Sequence, residues 1–121
     1  MPIPENIFQS EKILNILENF TNQLNEIRLD NLSPELYDLV EIIDMSKNII
    51  LENQFISEEK LIQIKQTIND QINTLLIQIN NNPQIVMVIE NAYTKPFEML
   101  YVNNNNTNNL EELYKIKYIK Y

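Results

Sequence analysis

Glycine is absent from all 121 residues of the chain, and that absence narrows what the chain can fold into. Tight two-residue β-hairpins usually want Gly at positive φ. Phosphate-cradling loops of the Walker or dinucleotide type cannot be built without it. Sheet-rich designs with tight turns are disfavoured, and helices are left as the natural currency of the fold.

Apolar spacing agrees. From Glu5 to Leu29 the chain reads as one long amphipathic helix, in which Ile13, Leu17, Phe20, Leu24 and Ile27 recur at steps of 4, 3, 4 and 3. Such a heptad seam is coiled-coil-like, and Leu14 and Ile16 widen it toward the face of a bundle helix. Asp30-Asn31-Leu32 interrupts the pattern. Ser33-Pro34-Glu35 then opens a second helix, with an N-cap, a proline at the first helical position and an acid in the first turn. Its face is Leu36, Leu39, Val40, Ile43 and Ile50, while Ile42, Ile49 and Leu51 make it apolar on more than one side. A third helix starts at Ser57 and carries Leu61, Ile64, Ile68, Ile72, Leu75 and Ile79 at helical spacing, until Asn80-Asn81-Asn82 ends it.

The remainder is ambiguous. Ile85-Val86-Met87-Val88-Ile89 is a β-branched run suited to a buried strand, yet Ile85, Ile89, Ala92 or Tyr93, Phe97 and Leu100 keep helical spacing over a longer window. Pro96 would clash with the carbonyl of residue 92 and kink such a helix. Residues 110–121 start like a helix at Asn109, but Tyr114, Ile116 and Tyr118 alternate as in a strand. The expected fold is an all-α bundle of four or five helices. Its alternative is an α+β chain, three helices followed by a C-terminal β-hairpin or meander.

With 44% apolar residues the chain can bury a core as one helical domain over 1–121. Residues 103–109, with six asparagines and one threonine, are read as an Asn-rich surface loop in which Asn does Gly's work. Ala92 is the lone alanine and Arg28 the lone arginine, while Asn, Ile, Lys and Tyr are abundant. That bias points to an AT-rich coding genome, such as a virus's, and accounts for the Asn run without a self-assembling role.

The net charge of −8 argues against direct binding to nucleic acid or to an anionic membrane. No signal peptide opens the sequence, so an intracellular, cytoplasmic location is the default expectation. With no Cys and no His, thiol catalysis, thiolate metal sites and any His-based triad are excluded. No catalytic, cofactor-binding or metal residues are expected, and the chain is read as not an enzyme.

Two constellations stand out. Glu35, Asp38, Glu41 and Asp44 step by three along the second helix as a slanted acidic ridge. It is a solvated face in the plain reading, and a mimic of nucleic-acid phosphates in a basic groove in the rival one. The Glu41/Asp44 spacing is similar to the paired acidic motifs that carry magnesium in all-helical nucleotide pyrophosphatases. The third helix, with Glu58, Glu59 and Asp70, has no matching pair, so a Mg-dependent hydrolase ranks third. The second constellation is tyrosine: Tyr114 and Tyr118 share a face near the C-terminus, and Tyr suits interfaces. The leading expectation is a noncatalytic helical interaction or assembly subunit, binding a protein partner or itself. Ile13, Leu17, Phe20, Leu24, Ile27, Tyr114 and Tyr118 are its interface candidates.

Overall fold

Among the described residues four helical rods build the fold, the last bent by a π-helical turn. The structure, a computed structural model, describes residues 7–27 and 34–110, with side chains as far as residue 102. Strand β1 (Ile7–Gln9) leads into α1 (Ser10–Glu26); α2 (Pro34–Leu51) and β2 (Phe55–Ser57) precede α3 (Glu58–Gln78). Helix α4 (Pro83–Ile89) passes through the π turn Glu90–Thr94 into α5 (Lys95–Leu110). The all-α expectation holds. The one sheet among the described residues is the pair β1–β2; of the C-terminal segment considered for a hairpin, 97–110 is helical and 111–121 lies outside the described residues.

That pair corrects the start of the first helix. The expected helix from Glu5 begins at Ser10, because Ile7–Gln9 lie antiparallel to Phe55–Ser57, with Phe8 opposite Ile56. Both of those side chains are buried, while Ile7 and Phe55 face solvent. No side chain caps α1 at Gln9. Its start is set from 43 residues away: Ser10 donates its N–H to the Gln54 carbonyl and its hydroxyl to the Asn53 carbonyl. At the far end Ile27 turns extended, so α1 stops at Glu26.

Local chemistry sets the other ends. Ser57 caps α3 by accepting the Lys60 N–H at 3.2 Å. Asn82 caps α4, its side chain accepting from the N–H groups of Gln84 and Ile85, with Pro83 in the first turn. Helix α3 closes in a Schellman arrangement: the Asn81 N–H reaches the Leu76 carbonyl at 2.8 Å and the Asn80 N–H reaches Ile77 at 3.3 Å. Asn80 and Asn81 both take φ of 53°, the left-handed conformation a glycine would ordinarily supply. Replacing Asn80 with Val is expected to cost about 1 kcal/mol in a urea melt, whereas Asn80→Gly should match or slightly exceed the native stability.

The Asn run does not form the expected loop. Backbone 103–109 continues α5, which ends at Leu110. Expecting Asn to stand in for Gly was sound chemistry at the wrong address, since residues 80–81 do that work.

The π turn settles the choice between Ala92 and Tyr93. One extra residue in the helical circuit carries the Lys95 N–H back to the Glu90 carbonyl, five residues away. Both Ala92 and Tyr93 consequently face the core. Pro96, which has no N–H to give, follows directly on the π turn at the start of α5.

One cluster holds the buried side chains of all these elements. Helix α1 packs against α2, α4, the π turn and α5, and α3 lies on α2. In α2 the buried positions are Leu36, Leu39, Ile43, Ser46 and Ile50, a heptad line with a serine in it. That serine's hydroxyl donates to the Ile42 carbonyl at 2.9 Å, so it reaches the core with its proton satisfied.

Candidate interaction surface

The heptad seam is core, not surface. Ile13, Leu17, Phe20 and Leu24 are fully buried and Ile27 is nearly so. Their counterparts come from the same chain, and Phe20 lies 5.1 Å from the Tyr93 ring. As interface candidates these five are corrected to bundle core. Tyr114 and Tyr118 lie outside the described residues.

The acidic ridge is present but uneven. Asp38, Glu41 and Asp44 are exposed and Glu35 is half-buried. Asp44 lies 3.7 Å from the Lys47 ammonium, and the Glu35 backbone carbonyl accepts from the Gln71 side chain. Among the described residues no group of three or more metal-ligating side chains comes together. No described helix is long and apolar enough to cross a membrane.

What sequence reading only half anticipated is the outward side of α2. Ile42, Met45 and Ile49 recur at steps of three and four, about a quarter-turn round the helix from the buried line. Ile42 is part-buried, whereas Met45 is 59% exposed and Ile49 38%. Across from them on α3 stand Lys60, Gln63, Ile64 and Thr67, and the two walls enclose a groove of about 240 Å³. Met45 was missed because one methionine among charges carries little signal until its turn-neighbours are counted. A larger depression of about 650 Å³ lies between the start of α1 and the end of α2. Glu11, Glu18, Lys47 and Asn53 line it together with Leu14 and Leu51.

A third feature was not legible at all. Lys65 on α3 holds its ammonium 5.1 Å from the Phe97 ring centre and 4.8 Å from that of Tyr101. Tyr93 packs on Phe97, and Tyr101 meets Phe8 of β1 edge-on at 5.0 Å. The ammonium thus ties α3 to two rings of α5, which pack in turn on Tyr93 of the π turn and Phe8 of β1. Burial pushes the Lys65 amine below its ordinary value, and the Glu98 carboxylate acts in the opposite sense, as do the ring faces. Burial raises the Tyr93 and Tyr101 hydroxyls, helped by neighbouring Tyr101 and Glu58 respectively. This geometry holds the amine against the ring faces of α5.

Compared with protein-family models, with curated proteins and with solved structures, the chain matches none.

Proposed function

We propose that the chain is a noncatalytic protein-binding module that works through the outward apolar side of α2. The observation that carries this reading is the α2–α3 groove, floored by Ile42 and Ile64 and edged by exposed Met45 and Ile49. Apolar side chains at helical spacing, left in water beside a second helix, are what a helix-in-groove partner buries. A helix with two apolar sides commits one to its own core, and the other gains only when something covers it. The buried line of Leu36, Leu39, Ile43 and Ile50 already serves the core.

Met45→Asp tests this. Because Met45 is mostly exposed, the variant should keep its helical spectrum and a stability within about 0.5 kcal/mol of native. Partners recovered from the source cells by the native chain should be lost to Met45→Asp and kept by Gln66→Asp, an equal charge change elsewhere on α3. Recovery of the same partners by both variants would exclude the groove.

A further inference from the structure

The groove is electrically lopsided. Gln71 of α3 bonds to the Glu35 backbone, while residues 42–49 face residues 60–67, so α2 and α3 run antiparallel. Asp38 stands one turn before Ile42, and Glu41 one turn before Met45. On the opposite wall Gln63, Thr67 and Asp70 follow one stripe at steps of four and three. Exposed Asp38, Glu41 and Asp70 therefore gather around one end of the groove, and Lys60 lines the other. Resting on the protein-binding reading above, we infer that the groove takes an amphipathic helix of another protein, one that carries Lys or Arg beside its apolar face.

Charge complementarity selects this occupant over a second copy. Each copy carries a net charge of −8, which opposes approach at low salt. Among the described residues the outward stripe Lys95, Met99 and Val102 on α5 has exposed Glu98 in its midst. Docked in the groove it would set a carboxylate near Asp38, Glu41 or Asp70. A basic helix from elsewhere meets no such conflict: its apolar face covers Met45 and Ile49 while its cations reach the three carboxylates. Helix-in-groove recognition takes its anchors at helical spacing, and Ile42, Met45 and Ile49 present the matching row.

Two synthetic peptides test the inference, one of leucine and lysine at amphipathic helical spacing and a twin with glutamate for lysine. Fluorescence anisotropy should show the lysine peptide binding, weakening with added salt, while the glutamate twin does not bind. Met45→Asp should weaken the lysine peptide roughly tenfold or more, about 1.4 kcal/mol. That result is diagnostic, because an added carboxylate would strengthen mere charge attraction. The triple change Asp38→Asn, Glu41→Gln, Asp70→Asn should remove most of the salt dependence. If both peptides bind alike and Met45→Asp blocks both, the groove binds protein but the basic partner is wrong. Self-association relieved by Met45→Asp would likewise put a second copy in place of the basic helix. Lysine-peptide binding indifferent to Met45→Asp would overturn the inference and the underlying reading together.

Discussion

Phe20→Asp is expected to unfold the chain and to yield no smaller folded species. Phe20 is fully buried in the middle of α1 and lies against Tyr93 of the π turn. A carboxylate there has neither water nor a cation, and burying such a charge costs more than a small domain's whole margin of about 5–15 kcal/mol. The milder Phe20→Ala should cost about 3–5 kcal/mol, combining lost transfer energy with the cavity left behind. Circular dichroism with light scattering checks both. A folded Phe20→Asp monomer derived from a larger native species would restore the seam as an interface between copies.

Lys65→Ala is expected to cost about 2 kcal/mol, since it removes a partly desolvated cation from two ring faces along with its packed stem. Lys65→Arg should recover most of that loss. The pH dependence has a definite sign. The Lys65 amine titrates below its unfolded value of 10.5. The unfolded chain thus holds this proton more tightly, and the Lys65 contribution to stability rises with pH up to that value. Tyr93 and Tyr101 act in reverse. Their hydroxyls titrate above the unfolded 10.0, so their contribution is complete below that pH and declines as pH climbs toward the folded values. Urea melts across the alkaline range should show Tyr93→Phe resisting base better than the native chain. Lys65→Ala should lose the rising component. An unchanged alkaline profile in Tyr93→Phe would mean that the hydroxyl is not held in the core.

Much of the fold was legible because helices are local. The α3 line of Leu61, Ile64, Ile68, Ile72 and Leu75 is buried as its spacing foretold, and the helix starts after Ser57, where its chemistry placed it. The excess of apolar residues on α2 was also visible beforehand. Its meaning was not, since a groove needs a second wall and α3 supplies it from the other side of β2. Lys65 gave no signal. A lysine between Ile64 and Gln66 looks like any solvated helix position until Phe97 and Tyr101 arrive from more than thirty residues away.

Local periodicity, caps and the lack of glycine determined by themselves that this chain is helical, where α3 begins, where it ends, and which of its stripes turns inward. Tertiary structure decided everything that depends on a partner distant in sequence. Pairing with Phe55–Ser57 turned Ile7–Gln9 from helix into strand. Packing of α1 among α2, α4, the π turn and α5 made a heptad seam into core. One added residue in a helical turn brought both Ala92 and Tyr93 inside. The physical reason is range: a hydrogen bond four residues along is written into the local sequence, whereas the neighbour that buries a side chain is chosen by the whole chain's closure.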